Sequence, residues 1–414
     1  MTEHPPVLER FLRYVVIDTQ SSETSETYPS TAKQKNLGRL LVEELHTLGV
    51  ADAAMDEHGY VIGTIESNVD IDVPTIGLIA HVDTSPEVSG ENVKPQFHAN
   101  YDGKKIVLNA DYTLTPEQSP ALLDHIGDTV ITTDGSTLLG ADDKAGVAEI
   151  MTLVERLRDN PSISHGKIRI AFTVDEEVGT GTKFFDVAAF GATYAYTVDG
   201  ESPGEVENET FCADAATVSF RGVNVHPGYA KDKLINAAKA AARFVTLLPQ
   251  DQSPETTEGK AGYLHPVSMK GTVEEAQIKL ILRDFEEEPL RAYRDLLETI
   301  ASDVREAYPG VHVDLTYTEN YRNMRFVLKD HPEVIDVALD AVRRAGLKPI
   351  LNSIRGGTDG AMLSYRGLPT PNLFAGGHLF HSRFEWVAVE AMEAALRTLE
   401  ELVQVWVERA RKPQ

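Results

Sequence analysis

Hydrophobic and polar positions along this chain follow two periods that keep exchanging places. Apolar residues recur at helical spacing in PVLERFLRYVVI (residues 6–17) and AKQKNLGRLLVEELHTLG (32–49), then at strand spacing in YVIGTIE (60–66) and TIGLIAHVD (75–83). A helix follows in GADDKAGVAEIMTLVERLRD (140–159), where Val147, Ile150, Met151, Val154 and Leu157 share a face, and strands follow in KIRIAFTVDEE (167–177) and ATYAYTVDG (192–200). Near the end come a helix EVIDVALDAVRRAG (333–346), a strand KPILNSI (348–354), a glycine turn RGGTDG (355–360), a strand PTPNLFAGG (369–377) and a long helix from Val387. Strands alternating with helices predict an α/β fold with a sheet covered by helices.

Between about Thr210 and Asn320 the order changes. A strand TVSFRGV (217–223) leads to a helix INAAKAAARFVTLLP (235–249), two strands in YLHPVSMKGTV (263–273) and AQIKLILRDF (276–285), a helix PLRAYRDLLETIASDVREAY (289–308) and a strand VHVDLTYT (311–318). This β-α-β-β-α-β order is that of a split ferredoxin-like module. The expectation is a discontinuous larger domain, residues 1–209 and 321–414, around an inserted α+β domain, residues 210–320; 414 residues also exceed what one core usually serves. No internal repeat or low-complexity segment is visible.

Composition narrows the class. Asp plus Glu outnumber Lys plus Arg by 64 to 39, a formal charge of −25, so the average surface repels a polyanion and nucleic acid is not an expected partner. The one cysteine, Cys212, has no internal disulfide partner, and the opening MTEHPPVLERFLRYVV carries charges where a signal peptide needs an apolar core. A cytoplasmic protein is expected. No run approaches the roughly 20 apolar residues that span a bilayer, so no membrane partner is expected either.

Five residues able to bind metal fall at strand ends or helix starts. His81 closes the run PTIGLIAHVD with Asp83, Glu177 closes KIRIAFTVDEE, Asp199 closes ATYAYTVDG, Asp142 opens a helix, and His381 ends PTPNLFAGGHLFH. In an open α/β sheet ligands bind outside the carboxyl ends of the strands, so residues far apart in sequence meet on one rim. Imidazole nitrogen and carboxylate oxygen suit zinc, and one ion takes only three or four ligands, so five residues point to two ions. Asp142, on a helix start between two strand ends, is the best-placed bridge, although Asp143 beside it offers the same chemistry and either is equally a helix cap. Asp83 lies two residues after His81 and points to the same side, as a carboxylate that orients a ligating imidazole does. Of Glu176 and Glu177, one is placed to ligate and the other to take a proton from water. His378, close to His381, is read as a non-ligand. A lone HxD, or a lone DEE after a strand, is more often a solvated turn than a metal site; their coincidence on one rim is what indicates a metallohydrolase.

Several long segments, in order, carry a resemblance. HVDTSPEVSGENV, ITTDGSTLLGADDKAGVAEIMT, FTVDEEVGTG, YTVDG, NVHPGYAKDKLINA, MKGTVEEA and IRGGTDGAMLSYRGLPTPNLFAGGHLFHSRFEW resemble the tripeptide aminopeptidases of the M20 metallopeptidase family. The resemblance implies a zinc-peptidase catalytic domain with a mixed sheet, an inserted ferredoxin-like lid, two Zn2+ per subunit and tripeptides as substrate. It implies His81, Asp142, Glu177, Asp199 and His381 as ligands with Asp142 bridging through a cis Asp142–Asp143 bond, Asp83 as the orienting carboxylate and Glu176 as general base. His226 is matched to a lid histidine that meets the tetrahedral intermediate, and Arg283 and Arg355 to substrate binding. Phe384 stands where the family pattern leads one to expect a second histidine. Other M20 activities (dipeptidase, carboxypeptidase, N-acyl amino acid deacylase) share the metal site, and a homodimer through the lid is compatible with the resemblance.

Overall fold

The computed structural model describes residues 4–412. The chain divides into two compact units, one formed by residues through Asn208, Met324–Ser353 and those from Thr358, the other by Glu209–Asn323 with Ile354–Gly357.

The first unit is built on an eight-stranded mixed sheet. Its strands run in the order Ala54–Met55, Val61–Ile65, Ile168–Thr173, Ile76–His81, Tyr194–Gly200, Asn372–Phe374, Glu205–Thr210 and Ile350–Ile354. The middle of the sheet is parallel, with Ile76–His81 flanked by Ile168–Thr173 and Tyr194–Gly200 and every one of its residues buried. That explains why the run reads as continuously apolar rather than alternating: a central parallel strand has no solvent face. The helix Ala141–Asp159 lies on this core and is itself covered by Pro6–Val15 and Val389–Arg411. It is consequently buried all round from Ala141 to Val154, more than the one apolar stripe predicts.

Three details differ from the sequence expectation. The run 369–377 is two strands in different sheets, Asn372–Phe374 and Gly377–His378, separated at Gly376, which takes φ 88°. The last helix begins at Val389 because Trp386–Ala388 pairs with Val130–Thr132 in a small sheet that also holds Gln96–His98 and Gly377–His378. This sheet encloses a second core of Tyr101, Leu108, Leu114, Leu122, Val130 and Trp386, in a stretch too short-stranded to show a period.

The second unit is an antiparallel sheet in the order Tyr263–Gly271, Glu275–Asp284, Cys212–Arg221, His312–Tyr321, packed with the helices Ala237–Thr246 and Glu287–Ala307. Glu275–Asp284 alternates exposed and buried positions along most of its length, as a strand with one covered face must. The segment Ile354–Gly357, expected in the larger domain, belongs here: Gly356 accepts from the Phe211 amide, and Gly357 lies against the Tyr321 ring so closely that a Cβ would stand 2.5 Å from it.

Candidate metal centre

The parallel register brings the ends of three strands side by side: His81 pairs with Thr173, and Ile79 with Thr197 two residues before Asp199. After Thr173 the chain turns through Asp175, which takes φ 58°, and delivers Glu176 and Glu177. The turn is held from two directions. Asp83 accepts from the amides of Glu176 (3.0 Å) and Glu177 (3.2 Å), and Asp175 accepts from the Ser30 amide and from Gln34 Nε2, both at 2.6 Å.

Asp142 and Asp143 precede the regular part of their helix, and the bond between them is cis. The two carboxylates do different work. Asp143 Oδ2 accepts from the His81 amide (3.1 Å) and Oδ1 from the Gly146 amide (3.2 Å), so this residue caps the helix and ties it to the strand. Asp142 instead divides its oxygens between two imidazoles: Oδ1 is 2.8 Å from His81 Nε2 and Oδ2 is 3.3 Å from His381 Nε2. Asp199 Oδ1 stands 3.5 Å from His81 Nε2, and Glu177 Oε2 is 2.7 Å from His381 Nε2. The result is two three-residue groups, His81–Asp142–Asp199 and Asp142–Glu177–His381, each with candidate ligand atoms within 4.8 Å of one another and sharing Asp142.

The electrostatics show what this donor set lacks. Burial and the neighbouring Asp142 push the Glu177 carboxyl up to about 8, and burial pushes Asp199 up to about 6. Burial acts against the charge on His381, yet Asp142 and Glu177 outweigh it and hold the imidazole at about 11. Against its burial, the surrounding acid groups, Asp199 and Asp142 first, also hold His81 well above its ordinary range, so the cluster draws positive charge onto both imidazoles, a role a cation fills better. Glu177 Oε1 is buried with no hydrogen-bond partner among the described residues. An orphaned carboxylate oxygen costs about 1–3 kcal/mol or more, and an ion there satisfies it. The residues fit a pair of divalent cations.

Around the cluster, His81 Nδ1 lies 3.1 Å from the Asp83 carbonyl and 3.4 Å from its carboxylate, so backbone and side chain of one residue both face the ring. Burial holds the Glu176 carboxyl well above its ordinary range, opposed by His81 and reinforced by Asp199 and Asp359. Asp359, accepting from Thr173 Oγ1 at 2.7 Å, was not singled out from sequence although RGGTDG was. Glu385 was also missed; its carboxylate collects the amides of Leu139, Gly140 and Asp142. Neither carried a signal beyond position in a quoted motif, since Glu385 binds peptide N–H groups and Asp359 a threonine hydroxyl far away in sequence. His378 stacks on Trp386 at 4.4 Å and joins neither candidate group, and Phe384 packs edge-on to Tyr112.

The three other candidates lie in the second unit. His226 is exposed and its Nδ1 accepts from the Gly228 amide at 3.1 Å, which leaves the ring proton on Nε2. Arg283 donates through Nη1 to the carbonyls of Asp214 and Leu282 and lies over the Tyr321 ring. Arg355 is engaged more fully: it donates to the carbonyls of Gly259 and Ala261, each at 2.8 Å, and to Thr257 Oγ1 at 3.1 Å, over the rings of Phe211 and Tyr263.

Residues 131–405 match the model of peptidase family M20/M25/M40. The chain belongs to that family. It is 49% identical over 406 residues to Peptidase T of Bacillus pumilus, covering 98% of this chain and 99% of that one. Among solved structures, aminopeptidase PepT from Bacillus cereus aligns with a TM-score of 0.75 at 24% identity, covering 97% of this chain and 98% of that one. A tripeptidase from Staphylococcus aureus aligns with the same TM-score at 23% identity over 98% of each chain. The two structural matches speak for the fold; the family rests on the model match and on the close relative. Among the described residues, no helix is long and apolar enough to cross a membrane.

Proposed function

We propose that this M20 peptidase is a two-zinc aminopeptidase that releases the N-terminal residue of tripeptides in the cytoplasm. The observation that carries the metal reading is Asp142, whose two oxygens face two different histidines while each histidine meets a second carboxylate. Substrate length rests on the near-full-length similarity to Peptidase T and on the sequence motifs that resemble the tripeptide aminopeptidases.

His81, Asp142 and Asp199 would hold one ion, and Asp142, Glu177 and His381 the other. When bound, the two ions supply Lewis acidity toward the scissile carbonyl and lower the pKa of the attacking water. Glu176 takes the proton from that water and passes it to the departing amine, a task suited to a carboxyl that burial holds above its usual range. Asp83 orients His81 and, through the Glu176 and Glu177 amides, sets base and ligand at a fixed separation. His226 presents Nε2–H, a donor suited to an oxyanion. Arg283, with only Nη1 engaged among the described residues, receives the peptide carboxylate, whereas Arg355 frames its own unit.

The test is release of the first residue from di-, tri- and tetrapeptides by protein stripped with chelator and reconstituted with zinc. Tripeptide turnover restored by two equivalents supports the reading. Cleavage from the carboxyl end, or preference for N-acylated amino acids, replaces it with another M20 activity.

A further inference from the structure

The loop that delivers the bridging carboxylate has no regular structure to define it. Leu139 and Gly140 precede the helix, Gly140 takes φ 82°, and Asp142 has non-helical angles. Their amides point to one acceptor. Glu385 Oε2 lies 2.7 Å from the Leu139 nitrogen and 2.8 Å from that of Gly140, and Oε1 lies 3.0 Å from that of Asp142, with the residue only 1% exposed. Charge-assisted bonds of this kind are about twice as strong as neutral ones, and three of them converge here on one buried carboxylate.

Glu385 also has a fixed base. It directly precedes the strand Trp386–Ala388, whose Trp386 and Val387 pair with Thr132 and Ile131. It follows His381, a member of the second candidate group, by four residues. One short segment therefore carries a candidate ligand of one position and grips the backbone of the residue shared by both.

We propose that Glu385 is a positioning residue for the whole two-ion centre: by binding the 139–142 backbone it sets the Asp142 carboxylate, so its loss weakens both ions together. A ligand private to one position behaves differently, since its removal strikes one ion first.

Glu385→Gln is nearly isosteric, yet its amide NH2 must face at least one N–H that now meets an oxygen. Glu385→Asp keeps the charge but is one methylene short. The experiment titrates metal-stripped protein with zinc against a chromophoric chelator and resolves the two binding steps, with the fold of each stripped variant monitored by circular dichroism. Val387→Ala is the control for general loosening of the same strand, because Val387 is buried but does not touch the loop amides. We expect both steps to weaken about 10–100-fold in Glu385→Gln, the usual effect of removing a group that orients a ligand, and less in Glu385→Asp, while Val387→Ala stays near wild type. If Glu385→Gln does not fold, parallel weakening in Glu385→Asp carries the same conclusion. Wild-type affinities in the Glu385 variants, weakening of one step only, or equal weakening in Val387→Ala overturns it. The inference rests on the two-metal reading, and the two fail separately. A wild-type protein that takes up fewer than two ions refutes that reading, whereas two ions bound equally well by Glu385→Gln refute only the role of Glu385.

Discussion

Gly146→Ala is the substitution whose effect depends most directly on how the helix meets the sheet. In a free helix interior, alanine in place of glycine stabilises by about 1 kcal/mol. Here a Cβ at residue 146 would stand 1.9 Å from the Val198 carbonyl oxygen and 2.5 Å from Asp143 Oδ1. A comfortable C···O approach is about 3.3 Å, so helix and strand must separate by roughly 1.4 Å. Neither obstacle is free to rotate away, because one is the backbone of a central strand and the other is bound to the His81 and Gly146 amides. Overpacking of this kind costs about 1–3 kcal/mol or more, exceeding the gain in propensity, and the melting temperature should fall by several degrees. The collision falls on Asp143 and Val198, the chain neighbours of Asp142 and Asp199, so those candidate ligands move with it. A displacement near 1 Å costs on the order of a hundredfold in turnover. Gly38→Ala supplies the contrast, since its nearest obstacle is the Met55 sulfur at 2.9 Å, the end of a flexible side chain. Thermal melts of the metal-free proteins, with kcat after reconstitution, check both. A Gly146→Ala protein as stable as the wild type refutes the close approach of helix and strand.

Further outcomes follow from the same geometry. Glu176→Gln should lower kcat by about 10²–10⁴-fold with both ions retained, whereas Glu177→Gln should lose one ion; metal analysis beside steady-state kinetics separates the two, and the opposite pattern exchanges base and ligand. Amidating the carboxyl end of a tripeptide should cost about ten- to a hundredfold in kcat/KM for wild type and little more for Arg283→Ala, while Arg355→Ala should lower the melting temperature with the acid-to-amide ratio intact; equal turnover of acid and amide by wild type removes the carboxylate contact. Burial raises the Glu207 carboxyl to about 8, aided by Glu205, Asp199 and Glu201 and opposed by Asn372. Its folded value lies above its unfolded one, so its contribution is full below about pH 4.5 and is lost as pH rises through 8. Melts of Glu207→Gln across that window should therefore gain on wild type by a few degrees toward high pH, and a constant difference contradicts a buried neutral carboxyl.

Much of the fold was legible because its longer elements bury faces of fixed period. Ile76–His81 and Glu275–Asp284 announce a central strand and a half-covered one by their apolar spacing alone, and the six-element order of the inserted segment implies its sheet before any contact is known. The small sheet around Trp386 was not legible, since strands of two or three residues are too short to show a period. The break of 369–377 at Gly376 was equally hidden, because apolar residues continue through it and only pairing partners separate the two halves.

At the site, sequence by itself determined the chemistry on offer: histidines and carboxylates at strand ends, in types and numbers that suit two cations. Which of them act together was decided by tertiary structure. Asp142 and Asp143 are the same residue type at adjacent positions, and only the packing of the helix against His81 turns one toward two imidazoles and the other onto backbone amides. Glu385 had no signature at all, because its partners are peptide N–H groups that every residue carries. Side-chain identity is local and can be read along a chain; the direction in which a carboxylate points is set by hydrogen bonds to residues hundreds of positions away, and those exist only once the sheet has closed around them.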